Sequence, residues 1–209
     1  MEASAIIIIL ELIVLLFSVI IHEVAHGLMA YRLGDPTAKD AGRLTLNPIK
    51  HIDPVGSIIV PLSLYLLGSP ALFGWAKPVP FNPYNLKNPK RDAGLIAIAG
   101  PASNFLLAII FSIFIKFSLI INIVSAPVFI AFNIIVLINL VLGIFNLVPI
   151  PPLDGSKILF WLLPDSARKF ERDFEKYGFV ILIIFIFFGF GFIEPVINWA
   201  YHLLGGSLL

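Results

Sequence analysis

Cysteine is absent from this chain, and charge is scarce: only 13% of its 209 residues are Asp, Glu, Lys or Arg. Without cysteine there is no disulfide framework, no thiolate metal site, no cysteine nucleophile and no cysteine-ligated iron–sulfur cluster. Any metal ion must therefore be bound by His, Asp, Glu or backbone oxygen. A soluble domain carries about a quarter charged residues, so this chain has too little polar surface to cover a water-facing globule. The composition predicts an integral membrane protein.

An excess of charge of one sign is also missing. The chain has 14 Lys and Arg against 13 Asp and Glu, a formal net charge of +1, and no cluster of basic residues. This balance argues against nucleic-acid binding. What the chain has in abundance is apolar residues, 59% of the total, with a mean hydropathy of +0.98. We therefore expect the lipid bilayer to be its main surrounding.

Long charge-free stretches define the expected membrane spans, because a bilayer core of about 30 Å requires roughly 20 apolar residues of helix. The fold class predicted is an all-α membrane protein, a polytopic bundle of four to five transmembrane helices in a single domain over 1–209. No basic segment precedes the first helix, so we expect it to be retained and not cleaved as a signal peptide. The expected elements, in chain order, are a helix over 3–31, a broken apolar segment over 55–76, a helix from 93 towards 124, a tight turn near Pro127, a helix to about 147, a polar surface helix over 165–176 and a last helix from 177 to about 204. We expect the last helix to be kinked or loosened at Gly189, Gly191 and Pro195.

The distribution of basic residues predicts the orientation. Thirteen of the fourteen Lys and Arg fall in the segments 32–50, 77–91 and 157–176, which the positive-inside rule places on the cytoplasmic side. All three can lie there only if segment 55–76 enters and leaves the membrane on one side. That segment contains two prolines and three glycines, so a re-entrant segment packed against protein is favoured over a full crossing.

A polar, turn-rich stretch separates the first two apolar segments. Within it, Arg43 to Asn47 alternate apolar and polar side chains in the manner of a strand. We therefore expect a small β element there.

His22, Glu23 and His26 form a His-Glu-x-x-His motif near the end of the first apolar segment. On a helix, residues four apart project from one face, so both imidazoles can bind one zinc ion while Glu23 acts as general base on a water. Ionisable residues in a membrane helix are costly unless they serve a function. The motif therefore indicates hydrolytic zinc chemistry over two ordinary histidines and a charge.

A catalytic zinc site with two histidines needs another protein ligand. Asp154 is the best candidate, because it follows a proline-rich break after the fourth apolar segment, at the same predicted membrane depth as His22 and His26. The alternative is a loop carboxylate that caps the short helix beginning near Ser156.

These motifs together resemble the site-2 protease family of intramembrane zinc metalloproteases. The matching segments are His22 to His26, Gly100 to Asn104, and the stretch from Asn146 through Asp154 to Gly155. The resemblance implies one Zn²⁺ per chain held by His22, His26 and Asp154, with Glu23 as base. It also implies a transmembrane protein as substrate. The 209 residues carry no recognisable PDZ or CBS signature, so we expect a minimal form whose regulation comes from another membrane partner.

Three further polar residues are candidate accessory groups. Asn104 could donate a hydrogen bond to the oxyanion of a tetrahedral intermediate, or form an interhelical hydrogen bond. The same two alternatives apply to Asn146. His51 could contact the site, the substrate or a second metal, or be a plain loop histidine.

The hypothesis is peptide-bond hydrolysis within or beside the cell membrane, at a site nearer its cytoplasmic face. An unwound substrate would align on the strand-like 43–47 element, and Glu23 would take the water proton and pass it to the leaving amine. The competing hypothesis is a metal-ion transporter that uses His22, His26 and Asp154 as a transit site. A catalytically inactive scaffold is a third, less favoured because all expected catalytic side chains are present.

Overall fold

The computed structural model describes residues 2–59, 63, 66, 76–120 and 125–204, and within these it is helical, with no strand. Short 3₁₀ turns lie in the connections, and π-helical turns cover Pro54–Ile59 and Phe185–Gly189. The α-helices are α1 (Glu2–Arg32), α2 (Thr37–Asp40), α3 (Pro89–Ile120), α4 (Ala126–Asn146), α5 (Asp154–Leu162), α6 (Arg168–Ile184) and α7 (Phe190–Leu203).

Four helical stretches are long and apolar enough to cross a membrane, and this confirms an all-α polytopic membrane protein. They are Ala5–Arg32, Pro89–Ile120, Ala126–Asn146 and Asp165–Leu203. Many large apolar side chains on their outer faces are exposed, as a lipid-facing surface requires.

The bundle is organised around α3, which packs against α1, α4 and α5. One apolar cluster joins α3, α4 and α7 through Ala108, Ile115, Val136, Leu140 and Tyr201. A second joins the end of α1 to the start of α3 through Ala30, Leu86 and Ile96. The site described below lies between these clusters, where α1, α3 and α5 meet.

The predicted break between a surface helix over 165–176 and the last helix is wrong. One helix, α6, runs through Lys176 and Tyr177, and Gly178 within it is a packing residue. A Cβ at Gly178 would lie 2.4 Å from the Pro151 Cβ, so glycine serves close approach there and does not end the helix. The expected loosening is found at Gly189, in the π-helical turn that joins α6 to α7, whereas Gly191 and Pro195 lie within α7.

The predicted β element at 43–47 is also wrong. Its backbone bonds to side chains and not to a neighbouring strand: His51 Nε2 donates to the Thr45 carbonyl at 2.8 Å, and Asn47 N–H donates to Thr45 Oγ1 at 3.2 Å. Asn47 then caps the turn Pro48–Lys50. The re-entrant prediction for 55–76 falls mostly outside the described residues.

A buried carboxylate fixes the connection after α1. Asp35, fully buried, accepts hydrogen bonds from Thr37 N–H and Oγ1 at 3.1 and 2.5 Å, from Asn82 N–H at 2.6 Å and from Asn85 Nδ2 at 2.7 Å. Burial raises the pKa of Asp35, but these four donors outweigh it and hold the pKa below its ordinary value. The carboxylate therefore ties the end of α1 to the segment that leads into α3.

We predict that Asp35→Asn lowers the free energy of unfolding by about 2 kcal/mol. Asparagine replaces charge-assisted hydrogen bonds with weaker neutral ones, and its NH₂ group faces N–H and O–H groups that themselves donate. Since folding depresses the pKa of Asp35, its stabilisation is present above the unfolded pKa of about 4 and is lost as the pH falls through the lower folded value. Thermal unfolding in detergent should show a wild-type advantage at pH 7 that shrinks below about pH 4. Asp40→Asn, at an exposed position on α2, is the control. Equal melting of Asp35→Asn and wild type at pH 7 would contradict the assignment.

Candidate active site

His22, His26 and Asp154 converge in the structure. His22 and His26 lie one turn apart on α1, as their spacing predicts, and Asp154 is the first residue of α5. The two Nε2 atoms are 3.0 Å apart, and Asp154 Oδ2 lies 3.0 Å from the first and 3.2 Å from the second. His22 and Asp154 are only 6% and 7% exposed. Among the described residues this is the one cluster that could hold a metal ion.

The path of the chain after α4 brings Asp154 to the histidines. The proline-rich stretch from Leu147 to Leu153 folds back on the end of α4, and α5 begins with Leu153 in the cap position. A Cβ at Gly155 would lie 2.3 Å from the Leu147 carbonyl oxygen. Only glycine fits this approach, which explains the residue that follows Asp154. The Asp154 carboxylate contacts the two imidazoles.

The Nδ1 atoms of both imidazoles, which lie away from the cluster, are hydrogen bonded. His26 Nδ1 lies 2.7 Å from the Ile96 carbonyl, which can only accept, so this nitrogen carries the proton. His22 Nδ1 lies 2.6 Å from Asn104 Oδ1 and carries its proton in the same way. In the neutral imidazoles both Nε2 atoms therefore present lone pairs to each other and to Asp154.

Three lone-pair atoms in a buried site repel one another unless they share a positive charge. Burial opposes ionisation of Asp154, but the two imidazoles lower the pKa of its carboxyl below the ordinary range. It is therefore a carboxylate at neutral pH. The shared charge can be a proton on one imidazole or a divalent metal ion, and two imidazoles with one carboxylate are suitable ligands for such an ion.

Glu23 contacts the irregular segment 77–79, whose role at the site was not predicted from the sequence. Its Oε2 accepts a hydrogen bond from Val79 N–H at 2.7 Å. Two further hydrogen bonds hold this segment in place: Lys77 N–H donates to the His51 carbonyl at 2.9 Å, and Arg43 Nη2 donates to the Lys77 carbonyl at 2.5 Å. A backbone N–H leaves no trace in a sequence pattern, so this contact could not be predicted.

The remaining predicted residues take different positions. Asn104 contacts His22, as described above. His51 is buried and its ring bonds the Thr45 carbonyl, while its backbone supports the segment beside Glu23. Asn146 Nδ2 donates to the Leu142 carbonyl of its own helix at 3.0 Å.

Two buried polar residues next to the site, Ser18 and Asn139, were missed. Both bond into the network around Asn104. Ser18 lies four residues before His22, and Asn139 is polar in a strongly apolar helix. These two signals could have identified them.

Comparison with known proteins gives the family. The model of peptidase family M50 matches residues 119–189, which include Asp154. A protein of Bacillus subtilis (strain 168), "Putative zinc metalloprotease YwhC", is 41% identical over 182 residues, which cover 82% of this chain and 77% of that protein. This chain belongs to peptidase family M50. "Putative zinc metalloprotease Rip2" of Mycolicibacterium smegmatis is 28% identical to the M50 chain over 199 residues, 90% of the chain and 69% of that protein. No solved structure is significantly similar.

Gly100 brings α3 against the imidazoles of this M50 chain. A Cβ at this position would lie 2.4 Å from His26 Nε2 and 2.6 Å from His22 Cε1. The following Pro101 is inside the helix and cannot donate to a carbonyl one turn earlier. Close approach of α3 therefore depends on the absence of a side chain at Gly100.

We predict that Gly100→Ala pushes the two imidazoles apart and weakens divalent-metal binding at least about tenfold, in the range found when groups that orient ligands are disturbed. Chelator titration of the purified protein measures this. Gly191→Ala in α7 is the matched control, because no described atom lies within 4 Å of the added Cβ. Equal metal affinity in both variants would contradict the geometry.

Proposed function

We propose that this protein is an intramembrane zinc metalloprotease of the site-2 type, which hydrolyses peptide bonds in or near the transmembrane segments of membrane-protein substrates. The observation that carries the proposal is the convergence of His22, His26 and Asp154 beside Glu23, at one end of an apolar helical bundle. Membership of peptidase family M50 supports the proposal, as do the names of the similar proteins, which describe zinc metalloproteases.

The cluster fits zinc. Tetrahedral ligands at about 2.0–2.1 Å from zinc lie about 3.3 Å from one another, and the three ligand atoms here are 3.0 to 3.2 Å apart. Two imidazoles and one carboxylate are a ligand set of catalytic zinc sites that keep a fourth position open. His22, His26 and Asp154 would thus hold one Zn²⁺ per chain, and the chemistry it supplies when bound is Lewis-acid activation of water and of a peptide carbonyl.

Glu23 is the residue that moves protons. Val79 N–H bonds Oε2, which fixes the carboxylate and leaves Oε1 able to take a proton from the attacking water. The same group then returns that proton to the nitrogen of the leaving amine, so the peptide bond is replaced by a carboxyl and an amine with no net proton change. Because the bundle is apolar outside, a substrate reaches this site from the membrane or its surface.

The placement of basic residues supports a site on the cytoplasmic side. His26 lies six residues before Arg32, the last residue of α1. The segment that contains Lys77 and Val79 contacts both Glu23 and Arg43. By the positive-inside rule, this end of the bundle faces the cytoplasm.

We predict that Glu23→Gln abolishes cleavage of a single-span model substrate and leaves zinc content at one per chain. Glutamine still offers an oxygen to Val79 N–H, so the fold is retained, but it cannot accept the water proton. General-base loss should reduce the rate by about 10² to 10⁴-fold. Both proteins are compared in proteoliposomes, with zinc content measured on the same samples.

Two outcomes would overturn this proposal. One is cleavage by Glu23→Gln at the wild-type rate. The other is saturable zinc flux into proteoliposomes by a wild-type protein that cleaves none of several substrates, which would make the cluster a transport site.

A further inference from the structure

A row of buried polar side chains leads away from the metal cluster into the bundle. It runs from His22 through Asn104 and Asn139 to Ser18 and joins α1, α3 and α4. Asn104 and Asn139 are both 0% exposed. Polar groups inside an apolar membrane bundle are unfavourable unless each is hydrogen bonded, so the donors and acceptors along this row must match.

Backbone carbonyls fix the direction of the row. Asn139 Nδ2 lies 2.9 Å from the Ile135 carbonyl and 2.9 Å from Ser18 Oγ. A carbonyl can only accept, so the amide nitrogen of Asn139 must face it. Asn139 Oδ1 therefore faces Asn104 and accepts from its Nδ2 at 2.9 Å. The Ser18 carbonyl, 3.4 Å from Asn104 Nδ2, favours the same orientation.

This direction decides which nitrogen of His22 carries the proton. With its Nδ2 directed at Asn139, Asn104 presents Oδ1 to His22 Nδ1 at 2.6 Å. That oxygen accepts, so Nδ1 must be protonated and the lone pair of the neutral ring must lie on Nε2. Reversing either amide would set two donors or two acceptors face to face in a dry interior.

We propose that Asn104, Asn139 and Ser18 are positioning residues that hold His22 in the Nδ1–H tautomer, with Nε2 directed at the metal. This rests on the proposed function in so far as His22 is a zinc ligand. Both ends of the Asn104 amide are committed to the row, so Asn104 acts through His22 and not on an oxyanion. The Nδ1 proton of His22 is thus held by a chain of side-chain hydrogen bonds through α3, α4 and α1, whereas that of His26 is held by the Ile96 carbonyl alone.

The test compares two buried asparagines of α4. Asn139→Ala breaks the row, whereas Asn133→Ala removes an equivalent residue that donates to its own helix at Phe129 and accepts from Tyr201. Both variants should melt at lower temperature. Only Asn139→Ala should weaken zinc binding, by about 10 to 100-fold in chelator competition, as for other residues that orient metal ligands.

Histidine ¹⁵N spectra of the zinc-free protein, recorded at a pH high enough that both rings of the cluster are neutral, provide a readout that is independent of activity. The chain has four histidines, and long-range ¹H–¹⁵N correlations distinguish the two tautomers of each ring. His22 should be the Nδ1–H form in wild type and in Asn133→Ala, and a mixture in Asn139→Ala. If Asn139→Ala does not fold, the pair Asn104→Asp and Asn104→Leu replaces it. Aspartate still accepts from His22 Nδ1, and its second oxygen is satisfied if the Asn139 amide turns Nδ2 towards it. Leucine offers neither oxygen. Zinc affinity should then stay within about threefold of wild type in Asn104→Asp and fall at least tenfold in Asn104→Leu.

The inference is overturned if Asn139→Ala keeps wild-type zinc affinity and the Nδ1–H tautomer, if Asn133→Ala loses zinc equally, or if the two Asn104 variants behave alike. A wild-type protein that binds no zinc would refute the proposed function instead, and the tautomer spectra would still decide this inference.

Discussion

The structure depends on one electrostatic constraint: three lone-pair atoms, from His22, His26 and Asp154, are held within 3.2 Å of one another in a buried site. Such an arrangement is unfavourable without a cation, and the surrounding chain prevents it from relaxing. Each imidazole has its other nitrogen committed to an acceptor, so neither ring can turn its proton inward without losing a buried hydrogen bond. The matching of donors and acceptors around the site therefore keeps three lone pairs directed at one point, an arrangement that suits a cation.

Close backbone approach makes this constraint possible. Gly100 lets α3 contact both imidazoles, and Gly155 lets the chain after α4 fold back so that Asp154 reaches them. The Asp35 cluster then ties the end of α1 to the chain that enters α3. These contacts are local and specific, whereas the outer faces of the helices need only be apolar. The packing around the site is therefore more tightly specified than the outer, apolar faces of the helices.

Most of the helical architecture could be predicted from the sequence, because charge-free length and helical spacing are strong signals in a membrane. The same holds for His22 and His26, whose spacing places them on one face, and for Asp154, whose predicted depth matched theirs. The errors arose where a local pattern lacked its tertiary partner. Alternation at 43–47 is typical of a strand, but hydrogen bonds that involve side chains satisfy that backbone instead. The change from charged to apolar residues at 176–177 suggested a helix boundary, but one helix runs through it.

The contacts around the ligands could not be predicted, because they join segments far apart in the chain. Val79 contributes only its backbone N–H to Glu23, and Asn139 is identified only when α4 is placed beside α1. Polar residues in apolar helices indicate that a partner exists, but not which one. The motif resemblance likewise suggests which residues bind the metal, but it does not say which residues hydrogen bond to them.

Zinc K-edge X-ray absorption of the purified protein tests the central claim most directly. The account predicts a first shell with two imidazole nitrogens and carboxylate oxygen in wild type, and one imidazole fewer in His26→Ala. A shell whose imidazole count is the same in both proteins would contradict the assignment of this cluster as the metal site.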